Sequence, residues 1–312
     1  MNEFEIIRDY FARQGLRRED VVIGIGDDAA VLEPPAGVQL VVSTDTLVEG
    51  VHFPAQTDPV SIGHKALAVN LSDLAAMGAE PAWFTLNLTL PRADAGWIEG
   101  FCRGLFDLAR VYRIQLIGGD TTHGPLAVSI QVHGFVPPGQ ALTRAGARPG
   151  DRIYVSGVLG EAALALRLFR GELDLPEEYH AAVLERLNRP LPRVWEGLAL
   201  RGLATACIDI SDGLLADLGH VLEASGAGAR IVLKRLPLSP AYDACFARIG
   251  WDVALAGGDD YELCFTLPPD REIALHRAAA RFACSLSYIG EIEAEPGMRV
   301  LVDQFANAKV ME

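Results

Sequence analysis

The sequence has 312 residues, 50% of them hydrophobic, which is enough for about two globular domains. Its 41 acidic and 27 basic residues give a formal net charge of −14, which argues against nucleic-acid and membrane-surface binding and suits cations. Five scattered cysteines form no C-x-x-C pair, so neither a disulfide framework nor a zinc site is expected. The charged start is not a signal peptide, and no apolar run could span a bilayer, so we expect a cytoplasmic protein.

Apolar β-rich runs alternate with amphipathic segments along the first half of the chain. They predict helices at 3–14, 60–77 and 94–111. They predict strands at 21–25, 38–43, 83–90, 113–117 and 126–136. Three prolines and several glycines between 137 and 150 interrupt the hydrophobic pattern, and we expect a domain junction there.

The second half repeats this alternation of strands and helices. It predicts strands at 152–156, 204–209, 230–233, 262–267 and 286–292. It predicts helices at 160–170, 177–188, 193–202, 213–224 and 270–282. Both halves are therefore α/β in character, and we expect two domains, 1–137 and 138–312.

Aspartates recur where apolar runs end. The segments are GIGDD with Asp27 and Asp28, STDT with Asp45, GGDTT with Asp120, DISDG with Asp209 and Asp212, and GGDD with Asp259 and Asp260. Turn or capping chemistry explains each of them taken singly. Their number favours a common role in binding cations.

Asp73 is the sharpest single case, because its helix is apolar nearly all round and is expected to be buried. Asn70 shares its face at a spacing of three residues. A buried carboxylate needs a partner. Lys65 lies two turns away and is a poor candidate, so a metal ion is the better one.

A site built from oxygen ligands, without His or Cys spacing, favours Mg²⁺ or Mn²⁺ over Zn²⁺. So many carboxylates indicate more than one ion and a polyphosphate, which points to ATP. The P-loop and protein-kinase motifs are absent. The segment SGVLGEAALAL, at 156–166, could meet a phosphate through backbone amides, although a plain crossover turn is the favoured interpretation.

Seven segments, taken in order, closely resemble the thiamine-monophosphate kinase family, within the superfamily of aminoimidazole ribonucleotide synthetase. They are GIGDDAAVL, VSTDTLVEGVHF, KALAVNLSDLAAMGAEP, LIGGDTTHGPL, ALTRAGARPGDRIYVSG, IDISDGLLADLGH and AGGDDYELCF. The resemblance implies a two-domain α/β (α+β) fold of the aminoimidazole ribonucleotide synthetase type, with an N-terminal domain that binds ATP and Mg²⁺. The sheet of that domain would form a homodimer interface. The implied activity is the Mg²⁺-dependent transfer of the γ-phosphate of ATP to thiamine monophosphate, giving thiamine diphosphate.

The same resemblance implies a role for individual residues. The positions that match Mg²⁺ ligands are Asp28, Ser43, Thr44, Asp45, Asp73, Asp120, Asp209 and Asp212. Those that match ATP contacts are Gly119, Asp120, Arg144 and Ser211. His52 and Asp259 match contacts to thiamine monophosphate. No residue is expected to form a covalent phosphoenzyme.

The chain departs from the family pattern in two places. It has GGDD where the family usually has Gly-Gly-Glu-Asp, which makes the Asp259 side chain one methylene shorter. Its last ten residues, DQFANAKVME, lack the family's Gly-Trp and His-Phe elements and hold Phe305 as their only aromatic residue. The rival interpretations are a sister ATP-dependent synthetase that releases phosphate, a metal-dependent phosphohydrolase and a non-enzymatic cation binder.

Overall fold

The computed structural model describes residues 3–12, 16–303 and 309–310. Phe305 therefore lies outside the described residues. The chain divides into two compact units, an N-terminal one of Met1–Leu74 with Ala79–Gly139 and a C-terminal one of Ala75–Gly78 with Gln140–Glu312. Both units mix helices and sheets, as the sequence predicted.

The N-terminal unit is built on a four-stranded sheet. The strands of the unit as a whole are β1 (Val21–Ile23), β2 (Val31–Leu32), β3 (Gln39–Val48), β4 (Glu80–Leu90), β5 (Gln115–His123) and β6 (Ala127–Val136). β1 and β2 form a separate antiparallel pair, and the other four follow the order β3-β6-β4-β5. β4 and β5 are parallel, while β6 is antiparallel to both of its neighbours.

Two of these strands continue beyond their predicted C-terminal ends, because β3 pairs with β6 as far as Val48 and β5 pairs with β4 as far as His123. The hydrophobic pattern ends earlier in both strands, where polar side chains begin. Asp45 and Asp120 therefore lie within strands, and the expectation that they follow strand ends was wrong.

The helices of this unit are α1 (Glu3–Ile6), α2 (Pro59–Ala76) and α3 (Ala95–Tyr112). The chain continues from α1 as a π-helical turn, Ile7–Phe11, and residues 13 and 14 of the predicted first helix lie outside the described residues. α2 and α3 cross at very short distance, because a Cβ on Gly63 would lie 2.1 Å from the carbonyl oxygen of Phe101. A Cβ on Gly104 would likewise lie 1.8 Å from the carbonyl oxygen of Val60.

The C-terminal unit contains a seven-stranded sheet. Its strands are β7 (Arg152–Ser156), β8 (Ala206–Asp209), β9 (Gly228–Val232), β10 (Leu263–Leu267), β11 (Leu286–Glu293), β12 (Gly297–Leu301) and β13 (Lys309–Val310). They follow the order β13-β12-β9-β11-β7-β10-β8. The helices are α4 (Glu161–Phe169), α5 (Glu177–Asn188), α6 (Val194–Leu200), α7 (Leu214–Ser225), α8 (Pro240–Ile249), α9 (Asp252–Ala256) and α10 (Glu272–Ala279). α8, α9, β12 and β13 were not predicted, whereas every strand and helix predicted after residue 150 is present within a few residues.

The core of this unit packs apolar side chains of the sheet against those of the helices, for example Val155 and Ile231 with Leu164 and Leu218. This core fixes the ends of β8 and β10, which carry the acidic segments described below. Within the described part of the chain, no helix has the length and apolar character needed to cross a membrane.

Candidate active site

β3 and α2 bring together four of the polar residues that the sequence singled out. Ser43 Oγ donates a hydrogen bond to Asp73 Oδ2 over 2.5 Å. The backbone N–H of Asp45 donates to Asn70 Oδ1 over 3.1 Å. Asn70 and Asp73 therefore share the face of α2 that contacts β3, as predicted. Asp73 is only half-buried and has a protein partner, so the argument that it needs a metal ion for lack of one was wrong.

Asp45 and His52 form a second group beside this contact. Burial raises the pKa of the Asp45 carboxyl, and His52 is close enough to oppose part of that rise. The N–H of Val48 donates to His52 Nδ1 over 3.0 Å. Thr44 belongs to the opposite face of β3, where its hydroxyl donates to the carbonyl oxygen of Ile130. Because successive side chains of a strand point to opposite faces, the side chain of Thr44 lies away from those of Ser43 and Asp45.

Asp28, Gly119 and Asp120 line one cavity of about 600 Å³ in the N-terminal unit. The Gly-rich segment 24–30 forms one wall, and β5 forms another. Ser43, Asp45 and Asp73 do not line it. The predicted metal ligands of this unit therefore fall into two groups.

Gly119 has a conformation that only glycine adopts readily, with φ 147°. A Cβ at this position would lie 1.8 Å from the carbonyl oxygen of Leu86 on β4. The absence of a side chain therefore lets β5 pass β4 at the wall of the cavity.

The C-terminal unit positions Ser211 and Asp212 in the turn between β8 and α7. Asp217, in the first turn of α7, accepts hydrogen bonds at Oδ2 from the N–H groups of Ser211, Asp212 and Gly213, at 3.0, 3.0 and 3.1 Å. Burial raises the pKa of Asp217 despite these donors. The interpretation of Asp212 as a helix cap is not supported, since Gly213 precedes α7 and Asp217 is the residue that binds the free amides.

Sequence reasoning missed Asp217. An acidic residue in the first turn of a helix, four positions after the glycine of a Ser-Asp-Gly turn, is a signal for an amide-binding carboxylate. The sequence analysis considered only the aspartates that precede Asp217 in this segment, Asp209 and Asp212.

Asp259 lies beside the turn that holds Ser211. Its N–H donates to the carbonyl oxygen of Ser211 over 2.8 Å, and Tyr261 Oη donates to Asp259 Oδ1 over 2.9 Å. Ser211, Asp212 and Asp259 line a depression of about 220 Å³ next to α4. Asp209, the last residue of β8, and the exposed Arg144 lie outside it.

The amide at the start of α4 already has a carboxyl group as its partner. The N–H of Gly160 donates to both carboxylate oxygens of Asp260, each at 2.9 Å. Burial raises the pKa of Asp260 well above its usual range, and this N–H opposes the rise. The segment at 156–166 is therefore a turn whose amide binds Asp260, in keeping with the structural interpretation favoured from the sequence.

The donor set fits a hard cation, since every predicted metal ligand offers oxygen. In the described ranges, however, no three His, Cys, Asp or Glu side chains are grouped as a metal site. Mg²⁺ commonly takes one or two protein carboxylates and completes its coordination with water and substrate phosphates. The ligand assignment stays a prediction.

Two family models define the class to which this fold and these acidic segments correspond. They are the AIR synthase related protein N-terminal domain, at residues 26–136, and C-terminal domain, at residues 148–303. Thiamine-monophosphate kinase of Escherichia coli K12 is 50% identical over 297 residues, which cover 94% of this chain and 91% of the relative. The chain belongs to the thiamine-monophosphate kinase family within this class.

Solved structures agree with this relationship. The crystal structure of thiamine-monophosphate kinase from Stenotrophomonas maltophilia K279a is 50% identical, with a TM-score of 0.90 and coverage of 96% of both chains. A structure of AaThiL complexed with AMPPCP and TMP is 31% identical, with a TM-score of 0.76 and coverage of 92% of both chains.

Proposed function

We propose that this protein is a kinase that transfers the γ-phosphate of ATP directly to thiamine monophosphate, giving ADP and thiamine diphosphate. The observation that carries the proposal is the 50% identity to a thiamine-monophosphate kinase across 94% of the chain. The complex of AaThiL with AMPPCP and TMP supports the same pair of ligands.

Mg²⁺ would be held by the acidic and hydroxyl residues that match the family's ligands. They are Asp28, Ser43, Asp45, Asp73, Asp120, Asp209 and Asp212. Thr44 would join them only through its backbone, because its hydroxyl lies on the opposite face of β3. When bound, the ions would offset the negative charge of the phosphates between which the phosphoryl group moves. Asp45 supports this ligand set. Its carboxyl is half-buried and its pKa is raised by burial, and a bound cation would favour the ionised form of such a carboxylate.

The remaining residues would position the two substrates. We assign ATP to Gly119, Asp120, Arg144 and Ser211, and thiamine monophosphate to His52 and Asp259. Because Val48 donates to His52 Nδ1, the neutral imidazole carries its proton on Nε2 and offers it as a hydrogen-bond donor. An anionic phosphate acceptor suits that donor. Asp259 is oriented by Tyr261, which fixes one of its oxygens.

The domain roles are those that the family resemblance implies, although Arg144, Asp209, Ser211 and Asp212 belong to the second domain. We propose that residues 1–137 bind ATP and Mg²⁺ and form a homodimer through their sheet, and that residues 138–312 form the second, α/β domain. The exposed Leu40 and Val42 on β3 support the dimer, because they leave apolar surface uncovered on one sheet face. The five free cysteines support a reducing compartment such as the cytoplasm.

Following the fate of the γ-phosphate tests the proposed reaction. The protein is incubated with γ-labelled ATP, Mg²⁺ and thiamine monophosphate, and the products are separated. We expect the label in thiamine diphosphate, one ADP for each product molecule, little free phosphate, and loss of transfer when EDTA removes the metal.

The same experiment separates the alternatives. A sister synthetase would release labelled phosphate only when its own second substrate is present, whereas a phosphohydrolase would release it without any acceptor. Label that appears solely as free phosphate, with or without thiamine monophosphate, would contradict the kinase.

A further inference from the structure

Lys65 is a buried cation in the N-terminal unit. Its residue is only 2% exposed, and it is the only lysine among residues 1–139. Burial of an ammonium group is costly unless the group has a specific partner. On both sides along α2, buried positions such as Ile62 and Ala66 are apolar, so a lysine is not needed there to fill space.

The Lys65 ammonium is directed to the loop that carries His52. Lys65 Nζ donates to the backbone carbonyl oxygen of His52 over 3.3 Å. The loop is otherwise a tight turn after β3, in which the N–H of His52 donates to the carbonyl oxygen of Val48 over 3.0 Å. Phe53, only 4% exposed, anchors the end of the turn.

The His52 side chain is exposed, in contrast to the buried groups that hold its backbone. The hydrogen bond from Val48 to Nδ1 fixes the orientation of its ring relative to the turn. The position of the remaining ring nitrogen, Nε2, thus depends on the position of the turn. One of the buried groups that determine that position is the Lys65 ammonium.

α2 contacts β3 and the following loop at three successive places. Asp73 and Asn70 bind Ser43 and Asp45 of β3, and Lys65 binds the backbone of His52. A single rigid helix thus connects the predicted metal ligands with the predicted contact to the acceptor. A shift of the loop relative to α2 would change the distance between these two parts of the site.

We infer that Lys65 is a positioning residue, which holds the loop after β3 so that His52 meets thiamine monophosphate. This inference rests on the proposed function, because it takes His52 as a contact to the acceptor. Because Lys65 is only 2% exposed, it would act without direct contact to either substrate. Its ammonium acts on the reaction through the backbone of His52.

Substitution of Lys65 by Met tests the role, since Met keeps an unbranched chain of similar length and removes the ammonium. We expect KM for thiamine monophosphate to rise about tenfold, the loss expected for one hydrogen bond to a charged group. KM for ATP should stay within about twofold, because the nucleotide contacts lie elsewhere. Ile62→Val, on the same helix, is the control for a purely structural change, and it should lower Tm without raising either KM.

A double-mutant cycle with His52→Ala distinguishes a positioning role from a structural one. If Lys65 acts through His52, Lys65→Met should add less than about a twofold change in KM once His52 has been replaced. A full tenfold effect in the His52→Ala background, or a parallel rise in KM for ATP, would overturn the inference. Lys65→Gln, which retains an N–H donor, is the second variant, and failure of both variants to fold would show that Lys65 is structural.

The outcome is separable from that of the proposed function. If the wild-type protein transfers no label to thiamine monophosphate, the kinase proposal fails and this inference fails with it. If the wild type makes thiamine diphosphate and the cycle is additive, only the role of Lys65 is wrong.

Discussion

At the scale of single residues, the adjacent glycines Gly118 and Gly119 of β5 differ in the space available for a side chain. A Cβ on Gly119 would lie 1.8 Å from the carbonyl oxygen of Leu86, and its φ of 147° is strained for any other residue. A Cβ on Gly118 would have nothing within 4 Å. Alanine substitutions at these two positions therefore test whether the close approach of the β5 and β4 backbones is needed to form the wall of the cavity.

We expect Gly119→Ala to lower the free energy of unfolding by about 3 kcal/mol or more, from backbone strain and overpacking together. It should also weaken binding of a non-hydrolysable ATP analogue, since Gly119 is a proposed nucleotide contact. Gly118→Ala should be neutral or stabilise by up to about 1 kcal/mol, because it restricts the unfolded chain. Urea unfolding and titration calorimetry measure both effects, and equal behaviour of the two variants would contradict the argument.

The sequence singled out polar residues that lie close together, but it did not predict all of their partners. Aspartates placed beside glycines and apolar runs are visible in the sequence, and Ser43, Asp45 and Asp73 do lie together. The role of Asp217 was not predicted. Its place in the first turn of a helix is a readable signal, but which three amides it binds depends on the conformation of the preceding turn. Lys65 was considered only as a partner for Asp73, and its hydrogen bond to a carbonyl oxygen in a preceding loop was not foreseen.

At the scale of elements, hydrophobic periodicity located the strands and helices that pack on the core. Hydrophobic periodicity did not predict helix α8, whose start is marked by capping residues instead. Ser239 caps α8 through a hydrogen bond from the N–H of Tyr242, and Pro240 stands at its first position. This capping pattern is readable from sequence. By contrast, the extension of β3 beyond residue 43 depends on pairing with β6, which is non-local.

The turn between β8 and α7 depends on one carboxylate. Asp217→Ala would leave the amides of Ser211, Asp212 and Gly213 without their acceptor. Because these three hydrogen bonds are partly or fully buried, the loss of each would cost about 1 kcal/mol. We therefore expect the free energy of unfolding to fall by about 3 kcal/mol in urea titrations, with weaker binding of an ATP analogue near Ser211.

Asp243 provides the control for this prediction. It is also an acidic residue in the first turn of a helix, α8, but it is exposed. Asp243→Ala should cost only about 0.5 kcal/mol, the usual contribution of a charge near a helix N-terminus. If Asp217→Ala costs no more than Asp243→Ala, the three amides do not depend on Asp217.

At the scale of the whole molecule, the four-stranded sheet leaves apolar side chains in solvent. Residues 40, 42, 44 and 46 alternate toward one face of β3, whereas Ser43 and Asp45 face α2. Leu40 is 50% exposed and Val42 is 46% exposed. Adjacent exposed apolar residues on a strand are a liability for a monomer unless another surface covers them.

We therefore expect the wild-type protein to sediment as a dimer of about twice its 33.6 kDa chain mass. The double variant Leu40→Asp with Val42→Asp should sediment as a monomer, because burial of unpaired carboxylates at the interface would cost several kcal/mol. Ile273→Asp, which changes a residue 68% exposed in the C-terminal unit, should leave the dimer intact and controls for the added charge. Analytical ultracentrifugation compares the three proteins, with circular dichroism to establish that each is folded. A wild-type monomer would rule out the dimer, and a double variant that still sediments as a dimer would place the interface on another surface.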